Sequence, residues 1–129
     1  MLNILVIDDS AMARKRVKEA LVTLEVEYNV VGEAEDGIDG LENYKTLKPN
    51  LILTDLEMPN MGGIELITKI REIDASVHIV VISSLINEQV KQTLKLDRFL
   101  DFIKKPLDER ILKKVLLKAE HHIEKGVKI

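Results

Sequence analysis

Apolar residues in this chain gather into five short runs, and each run gives way to a polar or charged residue. Ile4 to Ile7 runs into Asp8-Asp9-Ser10, and Leu51 to Leu53 runs through Thr54 into Asp55. Val77 to Ile82 ends at Ser83-Ser84, and Phe99 to Ile103 ends at Lys104-Lys105-Pro106. Val30-Val31-Gly32-Glu33-Ala34 is a weaker run of the same kind. Short apolar runs bounded by turn residues fit parallel strands that are buried on both faces.

Between the runs the apolar spacing turns helical. After Ser10, a good helix cap, come Met12, Val17, Leu21 and Leu24. Asp36-Gly37 opens a helix with Ile38, Leu41, Tyr44 and Leu47, stopped by Lys48-Pro49. Gly62-Gly63 leads into Ile64, Ile67, Ile70 and Ile73, and Asn87 can cap a shorter helix with Val90 and Leu94. Asp108 starts a last helix through Ile111, Val115 and Leu116, ending near His121 or His122. Strands alternating with helices predict an α/β fold, a doubly wound five-stranded parallel sheet with helices on both faces. In such sheets the functional crevice lies outside the carboxyl ends of the strands, where strand order reverses.

Length and composition narrow the function. A chain of 129 residues is expected to form one domain, here residues 1–122, with 123–129 as a C-terminal tail or linker stub. Hydrophobic residues at 46% and charged residues at 32% fit a folded globular chain. A net charge of -3 gives no support to direct nucleic-acid binding. The absence of cysteine removes disulfides, a thiol nucleophile and a cysteine-based zinc site. The start lacks the features of a signal peptide, and no apolar run approaches the roughly 18 residues of a membrane span. A cytoplasmic location with no membrane partner is the expectation.

The chemistry concentrates at the run ends. A carboxylate at the end of a buried strand is expensive to desolvate unless something pairs with it. The predicted sheet brings Asp8, Asp9 and Asp55 to one rim with the Ser83 hydroxyl and the Lys105 ammonium. Three carboxylates so close need a compensating cation, and hard oxygen ligands with few protein donors point to Mg²⁺ rather than Ca²⁺. Lys105 is a mobile point charge suited to phosphate. The set suits a transferring phosphoryl group, with Asp55 as the candidate nucleophile.

The stretches Ile4-Leu5-Val6-Ile7-Asp8-Asp9-Ser10, Thr54-Asp55-Leu56-Glu57-Met58-Pro59, Ile82-Ser83-Ser84 and Asp101-Phe102-Ile103-Lys104-Lys105-Pro106 occur in this order over residues 2–121. Together they resemble the receiver domain of two-component response regulators. The resemblance implies a flavodoxin-like strand order 2-1-3-4-5 and a signalling switch rather than a turnover enzyme. It implies that Asp55 accepts phosphate from a histidine kinase or histidine phosphotransfer protein. Asp9 and Asp55 would hold Mg²⁺ directly and Asp8 through water, with the Glu57 backbone carbonyl as a further ligand. Ser83 and Phe102 would be the switch pair, Lys105 would contact the phosphoryl group, and the Lys105-Pro106 bond would be cis. Output would run through the fourth helix, fifth strand and fifth helix, to a downstream protein target, a fused output domain or a phosphorylation-dependent homodimer.

Within the family, Asp8-Asp9-Ser10-Ala11-Met12, Leu56-Glu57-Met58-Pro59 and Ser83-Ser84-Leu85 are similar to the receiver half of chemotaxis methylesterases. Arg98-Phe99 departs from the Gly-Ala common in the family and should alter the loop beside the output surface. The exposed Glu57 side chain is expected to tune water access at the pocket rim. His78, His121 and His122 are expected to be structural or solvated, and Lys113-Lys114-Lys118 a solvated helix face. A Mg²⁺-dependent aspartyl-phosphate phosphatase is the rival from another class, since Glu57 stands two residues after Asp55. A module that never takes phosphate is the third reading.

Overall fold

The computed structural model describes residues 1–125. The strands are β1 (Leu2–Ile7), β2 (Tyr28–Ala34), β3 (Leu51–Thr54), β4 (His78–Ser83) and β5 (Leu100–Lys104). The helices are α1 (Ala11–Leu21), α2 (Gly37–Leu47), α3 (Gly63–Ile73), α4 (Glu88–Leu94) and α5 (Glu109–Lys125), and the elements alternate strictly. All neighbouring strands are parallel, in the order β2-β1-β3-β4-β5. This is the expected doubly wound sheet.

Burial explains the central strands. Every residue of β3 and β4 is buried, so their side chains must be apolar on both faces apart from the ends. The sheet separates two half-cores. Leu5, Ile7, Ile52, Ile79 and Val81 face Leu66, Ile67 and Ile70 of α3 and Val90 and Leu94 of α4. Ile4, Val6, Leu53, Val80 and Ile82 face Val17 and Leu21 of α1 and Leu112 and Leu116 of α5.

Caps fall where the sequence places them. Ser10 Oγ accepts from Ala13 N–H, Asp36 from Asp39 N–H and Asn87 from Val90 N–H. Elsewhere the boundaries move. β2 begins at Tyr28 because Leu2 pairs with it; it is an edge strand held by its ladder to β1 rather than by two-sided burial. β5 begins one residue after Phe99, whose carbonyl accepts from Ile79 N–H at 2.8 Å at the strand entrance. Met12, Ile38, Ile73 and Ile111 stand at helical spacing yet are exposed, because the helix turns neighbours such as Leu112 inward instead. Helix α5 runs to Lys125, past His122, and the remainder of the expected tail lies outside the described residues.

Candidate functional site

Strand order reverses at β1, which lies between β2 and β3. Asp8 leaves the end of β1 and Asp55 the end of β3, so the two flank this crevice. The register that pairs Ile7 with Thr54 puts both acids at one level. Asp55 N–H donates to Ile7 O at 3.0 Å, which extends the ladder to the acid itself.

The loop after Asp55 is pinned from below. Gly63 N–H donates to Leu56 O at 2.9 Å, and a Cβ on Gly63 would stand 2.3 Å from Asp55 O. Only glycine permits that approach of α3 to the loop. Asn60 takes a positive φ of 68° in the same turn, and its amide donates to Asp36 Oδ2 at 2.7 Å. The turn is thereby fastened to the cap of α2.

Ligand atoms of Asp8, Asp9 and Asp55 lie within 4.8 Å of one another, close enough for the three carboxylates to hold one metal ion. Asp8 and Asp55 are buried and Asp9 is exposed. Lys105 Nζ donates to Asp8 Oδ2 at 2.8 Å and to Asp55 Oδ2 at 3.0 Å. Asp8 Oδ1 accepts from Ser10 N–H at 2.9 Å. Asp55 Oδ1 accepts from Leu56 N–H at 2.6 Å and, less closely, from Glu57 N–H at 3.4 Å. Oδ1 is held by backbone while Oδ2 faces the ammonium.

Burial pushes the Asp55 carboxyl up, but hydrogen bonds from the Ser83 hydroxyl, Lys105 and Leu56 N–H outweigh it and hold the group below its ordinary range. For Lys105, burial pulls the ammonium down, and its bonds to Asp8 and Asp55 more than offset this, so it sits above the usual lysine value. Both groups are therefore charged over a wide pH range. A compact set of hard oxygen donors, partly neutralised by one ammonium, fits Mg²⁺.

Ser83 is fully buried at the end of β4, and its Oγ accepts from Leu85 N–H at 3.1 Å. Its carbonyl accepts from Lys105 N–H at 3.0 Å, so the two loops meet at the site. The Lys105-Pro106 peptide is cis. Phe102 is half-buried against the half-core of α3 and α4, on the strand next to Val81 rather than in the carboxylate pocket. Glu57 is exposed at the rim. Of the predicted set, Asp8, Asp9, Asp55, Ser83 and Lys105 converge; Phe102 stands apart, and Glu57 meets the others through its backbone.

Two arginines went unnoticed in the sequence. Arg14 donates to the Asp8 carbonyl at 2.6 Å and to Glu33 Oε1 at 3.0 Å, bracing the acidic loop from α1. Arg71 grips Asp97 through two bonds of 2.7 and 3.0 Å and also reaches the Asp74, Val77 and Phe99 carbonyls. Neither carries a local motif; their carboxylate partners, Glu33 and Asp97, stand 19 and 26 residues away. At the Arg98-Phe99 departure, Phe99 N–H donates to Asp97 Oδ1 at 3.1 Å, and its ring meets His78 edge-on at 6.4 Å. The lysine cluster is partly engaged, Lys113 with Glu25 at 3.1 Å and Lys118 with Asp101 at 3.4 Å.

Comparison with known proteins agrees with this fold. The family described as response regulator receiver domain matches residues 4–117. Over 107 residues the chain is 39% identical to a protein-glutamate methylesterase/protein-glutamine glutaminase of Lawsonia intracellularis, covering 81% of this chain and 29% of that protein. It is 38% identical over 109 residues to the chemotaxis protein CheY of Treponema pallidum, covering 83% of this chain and 74% of that one. The solved response regulator domain of Thermotoga maritima CheB superposes with a TM-score of 0.82 at 29% identity, over 100% of this chain and 99% of that one. Among the described residues no helix is long and apolar enough to cross a membrane.

Proposed function

The chain belongs to the response regulator receiver domain family, and on that premise we propose that Asp55 is its phosphoacceptor, taking the phosphoryl group of a histidine kinase or histidine phosphotransfer protein. The observation that carries the reading is the approach of Lys105 Nζ to both Asp8 and Asp55, beside a third carboxylate. Asp55 Oδ2 attacks the phosphorus; the new O–P bond forms as the donor's N–P bond breaks, and the imidazole leaves with the electron pair. Backbone N–H groups on Oδ1 fix the carboxylate plane so that Oδ2 is the reacting oxygen. Lys105 neutralises charge arriving on the phosphoryl oxygens, the main catalytic task in phosphoryl transfer. The Asp8, Asp9 and Asp55 carboxylates and the Glu57 carbonyl would hold Mg²⁺, which when bound supplies further charge neutralisation.

Phosphate on Asp55 offers new acceptor oxygens to the Ser83 hydroxyl, and as the hydroxyl turns to donate to them its oxygen draws away from Leu85 N–H. That shift loosens the start of the loop into α4 and changes the packing next to Phe102. Output then passes through α4, β5 and α5 to a downstream protein, a fused domain or a second copy. The groove lined by Met12, Val17, Pro106 and Leu107 opens beside Lys105 and supports docking of the phosphodonor there. Residues 1–122 form the receiver unit, and Glu57 sets hydrolytic lifetime by its exposure at the rim.

Incubation with acetyl phosphate and Mg²⁺, followed by intact-mass and peptide mapping, tests this. One phosphate on Asp55, absent in Asp55→Asn, is the expected result; no adduct on the wild-type chain would sink the reading. Continuous turnover of a phosphomonoester would instead mark a phosphatase.

A further inference from the structure

Among the described residues, the buried side-chain nitrogens lacking a hydrogen-bond partner are His78 Nδ1 and His122 Nδ1. These atoms belong to neighbouring rings, with centroids 6.2 Å apart and planes tilted by 44°. A buried polar atom without a partner is costly, and finding two on adjacent rings calls for a shared occupant. We propose that His78 and His122 form a binding site for a divalent transition metal ion of the zinc type. His78 is the first residue of β4 and Ser83 the last, so this site lies at the opposite end of the sheet from the carboxylate pocket.

The surroundings fit a metal-binding imidazole. His78 is 2% exposed and its Nε2 lies 3.1 Å from Asp101 Oδ2. The His78 hydrogen bond, set against burial and helped by Lys118, holds the Asp101 carboxyl below its ordinary range, so Asp101 is an ionised acceptor. An ionised acceptor at Nε2 keeps the proton on that nitrogen. In a neutral ring so bonded, Nδ1 carries the lone pair, as in the carboxylate–histidine arrangement that orients metal-bound histidines. His122 stands in the last turn of α5, and its buried Nδ1 is the second ligand atom of the proposed site.

Imidazole pairs select zinc, copper and nickel over the hard cations suited to the carboxylate pocket. With metal–nitrogen bonds of about 2.0–2.1 Å, tetrahedral ligation sets the two ring centres roughly 5 Å apart. The observed separation of 6.2 Å is longer than that, so binding requires the His122 side chain to rotate towards His78 by about 1 Å. His121, with its ring 6.1 Å from that of His122, is exposed and stands on the next helical position, turned away from the pair's side of the helix.

The test titrates the full chain with Zn²⁺ in competition with a chromophoric chelator, in saturating Mg²⁺ to occupy the carboxylates. Imidazole ¹⁵N resonances are followed in parallel. One equivalent is expected to bind, with the Nδ1 signals of His78 and His122 both shifting. His122→Ala, at a half-buried helix end that tolerates truncation, is expected to weaken binding at least about tenfold, and Asp101→Asn by about 10–100-fold. His121→Ala and Asp55→Asn are expected to leave the affinity unchanged. No binding tighter than millimolar, binding that survives His122→Ala, or binding lost in Asp55→Asn would each overturn the proposal.

Discussion

Lys105 and Asp55, brought together by β3, β4 and β5, meet at 3.0 Å, and the same ammonium reaches Asp8 at 2.8 Å. Lys105 thus occupies the position of a resident countercharge for two buried carboxylates. Replacing it with Met leaves those carboxylates facing each other without compensation. We expect Lys105→Met to lower stability by about 1–3 kcal/mol in chelator. Added Mg²⁺ is expected to recover most of the loss and to bind more tightly than in the wild type. Thermal melts across a Mg²⁺ series check both.

The same pair sets a pH window. Asp55 lies below its ordinary range when folded, so its contribution is present above the unfolded carboxylate value and disappears as pH falls through the lower folded one. Lys105 lies above its ordinary value, so its contribution is complete below the unfolded lysine value and is lost as pH rises through the higher folded one. Metal-free wild type should therefore gain stability over Asp55→Asn/Lys105→Met between these limits and converge with it at both extremes. Urea unfolding at stepped pH measures the difference.

Gly63→Ala would place a methyl group 2.3 Å from Asp55 O and 2.8 Å from Leu56 Cα, both backbone atoms. The loop must give way, at about 1–3 kcal/mol. Because the displaced carbonyl belongs to the phosphoacceptor, phosphorylation by acetyl phosphate is expected to slow more than stability alone explains. A rate measurement well below the melting transition distinguishes the two.

Arg71 joins the end of α3 to the α4–β5 loop by a two-pronged bond to Asp97, with both side chains largely buried. Lysine carries the charge but not the fork. Arg71→Lys is expected to cost about 1–3 kcal/mol and to raise amide exchange in residues 96–99, with phosphorylation of Asp55 intact. Unchanged exchange in that loop would show that other contacts hold it.

The alternation of apolar runs and helical spacing carried the fold, because burial on both faces leaves no other pattern open to β3 and β4. Asp8, Asp9, Asp55, Ser83 and Lys105 were legible because each stands at or just past the end of a strand, and parallel strands deliver such residues to one edge. Arg14 and Arg71 were not legible. Their partners lie on other elements, and a long flexible side chain leaves no periodic trace of where it points. Likewise the edge strand β2 and the outward-facing Ile111 reflect pairing and helix phase that only the assembled sheet decides. The histidines were read as structural or solvated, and His78 is nearly inaccessible and joined to Asp101.

The two half-cores lie on opposite faces of the sheet. One carries Phe102 and the α4 side on which signalling is proposed to act, and the other is shared by α1 and α5. That division makes the molecule separately editable. Volume-conserving exchanges at Val17 or Leu21 of α1 can retune heat resistance while the switching side keeps its packing. An engineer seeking a sturdier sensor would begin there.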